Sequence, residues 1–518
     1  TCRLPARNTA TADSSLSPSS VCGLRRFRPC SVGGNLSTLD PLRWKALFVI
    51  AIAQLMVILD ATIVNIALPS IQADLGISDA DRQWVVTAYT LTFGGLLLLG
   101  GRIADFAGRK RMFIVSLVAF AAASAVGGLA ANAGLLYAAR GLQGVSAAVL
   151  APAALALISV TFTDSKERAK AFAVYGALSG GGAAIGLVLG GALTEFASWR
   201  WTLWINVPIA LLAIALAIPF VRESRTEART GYDVPGAVTV TLGLLAVIFG
   251  ITRAESEGWT GTSTLVFLGV GLVLLAIFVI IESRSPHPLL PLRILANRNR
   301  GGAYLASFFI GVGLFAIFLF LSYFFQGVLG YSPLESGLLF LPLTAGIIVS
   351  AGITSRLLPI IGPRFITGGG FALTIVGLLL LQRMSESSTY IGDILPSMIL
   401  VGLGIGFVFV PLSATALFGV GDADAGVASA VLNAAQQVGG SVGVAFLNTI
   451  ATSATTAYIV LNQLPGPNGA ALVEGFTTGF LWSAAILLVA GVIWLVLVTM
   501  TGKDMADDEV NADRQSPM

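Results

Sequence analysis

Between Trp44 and Met500 the chain returns again and again to long apolar runs whose charges, with few exceptions, lie at the ends. A bilayer core of about 30 Å is crossed by about 20 apolar residues in helical form. Helices are the only open-chain way to satisfy every backbone group inside lipid. The runs are 44–68, 83–101, 112–130, 134–159, 169–194, 201–220, 234–252, 263–282, 303–326, 335–356, 365–382, 391–417, 427–453 and 476–500. Composition agrees: 55% of the 518 residues are hydrophobic and 11% charged, well below the quarter or so usual in soluble domains. The expected fold class is therefore an all-α polytopic membrane protein with fourteen transmembrane helices.

The basic residues orient those helices. If the N-terminus is cytoplasmic, 25 of the 30 Lys and Arg fall on the cytoplasmic side. Arg82, Arg200, Arg253 and Arg383 fall on the other side, and Arg140 lies inside a span. Without the N-terminal tail the ratio is still 18 to 4. That is the asymmetry of the positive-inside rule, and it places both termini in the cytoplasm.

Residues 1–43 read as a disordered tail rich in Ser, Pro and Arg, and residues 501–518 as a cytoplasmic C-terminal tail. Cys2, Cys22 and Cys30 all lie in the first tail and show no metal spacing; His287, the only histidine, has no partners in its loop. No metal site and no cofactor are expected. The chain has no phosphate-binding Gly-x4-Gly-Lys loop, which argues against an ATP motor, and no basic patch that would suit nucleic acid. A polytopic enzyme lacks a nucleophile–base pair, and a channel lacks acidic rings or a filter loop.

Weak internal echoes suggest duplication. Gly182, Gly186 and Gly190 recur four apart in span 5, and Gly439 and Gly443 in span 13. The loop 101–111 has a fainter counterpart at Gly352–Arg364. Both echoes shift by eight spans. This predicts an N-terminal six-helix bundle at 44–222, two inserted helices at 233–282 and a C-terminal six-helix bundle at 303–500. A binding site near the midplane between parallel halves is one transporter architecture.

Candidate chemistry follows from polar residues stranded in apolar runs. Asp60 is the only carboxylate well inside a span of the first half. A charge there costs about 3 kcal/mol on insertion scales, so such a residue is normally paired and functional. It either takes and releases protons or sits in a wet vestibule ordering helix 1. Arg140 lies about 9 Å below the outer end of its span and Asp60 about 12 Å below its own, at 1.5 Å per residue. A conditional Asp60–Arg140 pair is therefore expected for proton coupling, against a static salt bridge. Gln143 shares the face of Arg140 and either binds substrate or satisfies the arginine. Asn65 points about 140° away from Asp60 and suits structural hydrogen bonding. Asn433, Gln436 and Gln437 in span 13 are candidates for the substrate cavity or for interhelical bonds. The Phe-rich span 9 reads as lipid-facing or core before it reads as a stacking platform.

Several strings resemble one family. Gly101-xxx-Asp105-xx-Gly108-Arg109-Lys110 is similar to the cytoplasmic loop signature of the major facilitator superfamily. Leu59-Asp60-Ala-Thr62-Ile-Val-Asn65, Arg140-Gly141-x-Gln143-Gly144, Trp199-Arg200-Trp201 with Ile205-Asn206-Val207-Pro208, and Gly182-xxx-Gly186-xxx-Gly190-Gly191 resemble motifs of its fourteen-helix drug:proton antiporters, the EmrB/QacA type. The resemblance covers about residues 44 to 500. It implies a major facilitator fold and export of lipophilic or cationic drugs in exchange for protons, by a monomer in the bilayer. It implies a gating role for Gly101, Asp105, Gly108, Arg109 and Lys110, a latch between the halves. Gly182, Gly186, Gly190 and Gly191 would be the helix-packing antiporter motif. Two residues depart from the pattern: Phe106 replaces a usual basic residue, and Leu187 a usual proline, which weakens the antiport inference. A proton symporter or facilitator for a nutrient is the alternative. Arginine exceeds lysine by 25 to 5, which suggests a GC-rich genome and, with the resemblance, a bacterial inner membrane.

Overall fold

The computed structural model describes residues 42–504 except 79–80, 163–164, 225–232, 287, 291 and 421. Residues 1–41 of the expected first tail, residues 505–518 of the second and His287 lie outside the described residues; Arg43, expected in the first tail, opens the first helix. Among the described residues there is no strand. The helices are α1 (Arg43–Leu75), α2 (Trp84–Ala107), α3 (Arg109–Gly128), α4 (Ala133–Thr161), α5 (Ser165–Phe196), α6 (Trp201–Trp204), α7 (Asn206–Phe220), α8 (Val234–Glu257) and α9 (Thr262–Arg284). They continue with α10 (Leu292–Ala296), α11 (Arg298–Tyr323), α12 (Pro333–Leu339), α13 (Leu341–Ile361), α14 (Pro363–Leu381), α15 (Leu395–Leu417), α16 (Asp422–Leu461) and α17 (Gly469–Leu497).

Twelve of the described helical stretches are long and apolar enough to cross a membrane. A thirteenth is α2 if its two parts, bent by 58° between Leu97 and Leu99, count as one span. Within α5 only the shorter apolar stretch Gly182–Phe196 stands out.

Local sequence explains where helices begin. Asn132 accepts from the Leu135 N–H, Asn468 from the Ala471 N–H, and Asn297 from the N–H groups of Asn299 and Arg300. Each satisfies donors that a helix start leaves unpaired. Ser332 and Glu335 form a reciprocal capping box at α12, ahead of Pro333 at its first turn. Short polar residues at loop ends thus position helices whose interiors carry almost no polar signal.

Packing sorts the helices into two groups. Helices α1 to α7 contact mainly one another, as do α11 and α13 to α17; α12 packs chiefly on α5, α16 also meets α2, and α8 and α9 form a hairpin that leans on α2 and α16. The Phe-rich run of α11 faces inward: Phe320 stacks on Phe476 at 5.5 Å and meets Phe480 edge-on at 5.8 Å. Leu211, Leu272, Val273 and Val492 point outward, as lipid-facing side chains do.

Glycines set the closest crossings. A Cβ on Gly182 would lie 3.0 Å from Ile58, on Gly186 2.0 Å from the Thr62 hydroxyl, and on Gly190 2.8 Å from the Ile63 carbonyl. The four-residue spacing therefore seats α5 directly on the backbone of α1, as small residues do between membrane helices. Gly191 faces another way, where a Cβ would meet the Pro333 carbonyl at 2.4 Å and join α5 to α12. Overpacking such a crossing costs about 1–3 kcal/mol or more. Gly190→Leu should lower the unfolding temperature of the detergent-solubilised chain by that cost, whereas Gly269→Ala, whose Cβ meets nothing within 4 Å, should leave it within a degree or so.

Candidate functional site

At mid-depth in the first helix group, four helices place polar side chains around one carboxylate. Asp60 is fully buried on α1. Its Oδ2 accepts from Arg140 Nη1 of α4 at 2.6 Å. Its Oδ1 accepts from Gln143 Nε2 of α4 at 2.8 Å and from Asn206 Nδ2 of α7 at 2.8 Å. On α3 the Ser124 hydroxyl accepts from Gln143 Nε2 at 2.7 Å and more distantly from Asn206 Nδ2 at 3.4 Å.

Arg140 has several partners besides Asp60. Its Nε donates to the Val85 carbonyl of α2 at 3.0 Å, and its Nη1 also reaches Gln143 Oε1 at 2.9 Å. Its guanidinium lies 4.5 Å from the ring centroid of Tyr89, itself buried on α2. Cation–π attraction strengthens when desolvated. The (i, i+3) spacing of Arg140 and Gln143 on α4 points both at Asp60, and Gly144 lets α2 approach: a Cβ there would sit 2.0 Å from Thr92 Oγ1. The arrangement holds a carboxylate against one formal countercharge and two side-chain amides, all three donating to it.

The sequence brought Asp60, Arg140 and Gln143 into view, and the structure brings them together. It places Gln143 inside this network with both ends of its amide bonded. Asn206 and Ser124 completed the cluster unannounced. Asn206 stands in a string that the family resemblance covers without assigning it a role, and a single serine in an Ala-rich run such as α3 carries no signal. Asn65 donates to the Ala61 carbonyl one turn back on α1.

The second-half candidates are dispersed on α16. Asn433 donates to the Ser429 carbonyl of its own helix. Gln436 lies where its carbonyl would be 2.3 Å from a Cβ on Gly311 of α11. Gln437 packs its Cβ on Gly94 of α2, and its Oε1 is buried without a hydrogen bond. Nearby, Ser441 donates to Thr90 of α2 at 2.7 Å, which ties the two helix groups at mid-depth.

At the end of the bundle away from the termini the groups are clasped more extensively. Arg82, 4% exposed, lies over the Tyr323 ring at 4.1 Å and donates to Asn448 Oδ1 at 3.4 Å. Tyr323 donates to Gln72 at 2.6 Å, Gln326 to the Ile66 carbonyl at 3.0 Å, and the Leu334 N–H to Glu195 at 3.0 Å. Asp74 accepts from both Trp199 and Arg200, closing the same end of the first group.

The loop between α2 and α3 folds on its own half. Arg109 Nε donates to Asp105 at 2.7 Å. The N–H groups of Lys110 and Arg111 donate to the two carboxylate oxygens of Glu223, and Lys110 Nζ to the Ile218 carbonyl. A carboxylate at a helix N-terminus meets both unpaired donors and the helix dipole. Gly108 is required there: its φ is +107°, and a Cβ would fall 2.9 Å from Glu223. Arg102 donates to the Pro288 carbonyl in the segment after α9. Glu223 lies more than a hundred residues from the loop it caps, beyond the reach of any motif.

Removing one partner of a buried ion pair strands the other and costs about 3–5 kcal/mol. Asp60→Ala should destabilise the solubilised chain by about that much, and adding Arg140→Leu should recover part of it. Denaturant unfolding of both single variants and the double variant reads the coupling; strictly additive losses would mean the pair is not the unit described.

The model of the family described as Major Facilitator Superfamily matches residues 50–444. The chain is 47% identical over 482 residues to the puromycin resistance protein pur8 of Streptomyces alboniger, spanning 92% of this chain and 95% of that protein. It is 37% identical over 415 residues to the cephamycin export protein CmcT of Amycolatopsis lactamdurans, spanning 79% and 85%. Among solved structures, a bacterial homologue of the human lysosomal transporter Spinster superposes with a TM-score of 0.62 at 15% identity, over 90% of this chain and 98% of that one. The human organic anion transporter MFSD10 does so with 0.59, over 88% and 100%. All-helical architecture, extended identity to antibiotic exporters and the matched model agree: this chain is a multi-span membrane transporter of the Major Facilitator Superfamily.

Proposed function

We propose that the chain is a proton-coupled exporter of small lipophilic or cationic organic compounds, of the fourteen-helix EmrB/QacA type. It works by alternating access as a monomer in a bacterial inner membrane, with both termini cytoplasmic and no nucleic-acid partner or enzymatic step. Fourteen crossings follow if bent α2 and the whole of α5 each span once. The names of the relatives favour antibiotics as cargo, and the excess of Arg and Lys on the side of the termini favours this orientation.

The observation that carries the proton-coupling part is the Asp60–Arg140 pair, 0% and 1% exposed at its side chains. Such a pair adds little net stability over apolar packing, because desolvation offsets attraction. Its use lies in exchange. Protonating Asp60 cancels the carboxylate and leaves Arg140 held by Val85, Gln143 and Tyr89. The first helix group then carries one more positive charge at mid-depth, which disfavours a cationic cargo in that state and favours it once the proton leaves. Each charge crossing 100 mV is worth about 2.3 kcal/mol, ample to drive cargo uphill. The Arg82 clasp would be the closed outer gate and the Glu223-capped loop the inner latch, here folded on its own half. Gln436 and Gln437 on α16 would line the cavity, with Asn433 towards its inner end. Leu187, buried where the antiporter pattern has proline, leaves a proton symporter or facilitator as the alternative.

Inverted vesicles with an acid lumen decide between them. Adding puromycin or tetraphenylphosphonium should alkalinise the wild-type lumen as drug enters, and Asp60→Asn should abolish the proton movement while drug counterflow persists. Drug movement in wild type with no response to the proton gradient, or drug and protons leaving the lumen together, would overturn antiport.

A further inference from the structure

The second helix group carries an apolar groove lined by none of the residues proposed above for transport. It lies between α13, α14 and α15, has a volume of about 520 Å³, and is lined only by Leu, Ile, Phe, Gly, Ala and Val. Leu357 and Ile361 form one wall, Phe365, Gly369 and Val376 the second, and Phe407 the third. Ile361, Phe365 and Val376 are exposed, so the groove opens to the outside of the bundle. From Phe365 to Val376 it climbs about 16 Å along α14 at 1.5 Å per residue. That is slightly more than the half of a 30 Å hydrocarbon core that one leaflet fills, about 15 Å.

Charge collects only at its lower end. The Arg364 guanidinium lies 5.9 Å from the ring centroid of groove-lining Phe365, and its Nε is buried without a hydrogen bond. Exposed Arg356 immediately precedes Leu357 on α13. The start of the C-terminal segment packs on the same corner: a Cβ on Gly502 would touch the Pro359 and Ile360 carbonyls at 2.6 and 2.7 Å, which brings Lys503 alongside. The acid there among the described residues is Asp504, already taken by the Thr501 N–H at 2.7 Å and hydroxyl at 2.8 Å. Three cations and one occupied carboxylate around the lower part of an apolar groove complement an anionic headgroup above which an acyl chain must lie. Basic side chains at a membrane surface attract acidic lipids in this way.

We propose that this groove is a binding site for an acidic phospholipid. One acyl chain fills the space between α13, α14 and α15, and the phosphate is met by Arg364 and Arg356 in the leaflet on the side of the termini.

The test uses the full-length chain, purified in detergent and depleted of lipid, then offered phosphatidylglycerol or phosphatidylcholine of identical acyl chains. Bound lipid is read by native mass spectrometry. Wild type should retain phosphatidylglycerol in preference. The variant carrying both Arg364→Gln and Arg356→Gln should lose about tenfold in phosphatidylglycerol retention and hold phosphatidylcholine as before. Gly369→Leu reaches into the groove from a position where a Cβ meets nothing within 4 Å, so the fold accommodates it, and it should reduce both lipids. An undiminished preference in the double-arginine variant, or full retention in Gly369→Leu, overturns the assignment. So does displacement of the lipid by tetraphenylphosphonium, which would make the groove a cargo site.

Discussion

A charge inside a bilayer has to find its partner in the protein, because no water is there to supply one. Asp60 of α1 meets this constraint with an arginine, two amides and, through them, a serine, drawn from α3, α4 and α7. Four helices must hold their registers for those bonds to exist together. The close glycine crossings serve that register: α5 is seated on α1 next to Asp60, and α4 on α2 beside Tyr89, at distances a single methyl would break. Packing and polar chemistry in the first helix group are one arrangement.

The two helix groups meet through interactions of another kind. The clasp at the end away from the termini uses a cation on an aromatic face, an amide and backbone acceptors. Contacts of this type are individually modest beside a fully buried ion pair. The Asp60 network, by contrast, is internal to one group and can move with it as a unit. A transporter that rocks two bundles past each other needs this division: costly charge pairs inside a body, inexpensive contacts between bodies.

Much of this was legible in the sequence, and for physical reasons. Helix type followed from apolar run length, and the depths of Asp60 and Arg140 followed from a fixed rise per residue. The glycine spacing in α5 announced a packed face. Other parts were out of reach. Asn206 and Ser124 matter only because α7 and α3 converge on α1, and convergence leaves no mark on either local string. Glu223 caps a helix more than a hundred residues earlier. The 58° bend in α2 interrupts a run that reads as one continuous span, because hydropathy is insensitive to direction. Gln143 illustrates the middle case: its face was predictable from its spacing to Arg140, its partners were not.

Proton-coupled export, as proposed, requires that Asp60 exchange a proton in response to cargo. It is tested most directly by adding puromycin or tetraphenylphosphonium to the purified chain in weakly buffered detergent and reading released protons with a pH-sensitive dye. The account predicts release approaching one proton per bound cargo molecule in wild type and none in Asp60→Asn, with cargo binding still measurable in the variant. Cargo binding without proton release in wild type, or equal release from Asp60→Asn, would contradict it and leave the buried pair as a structural tie.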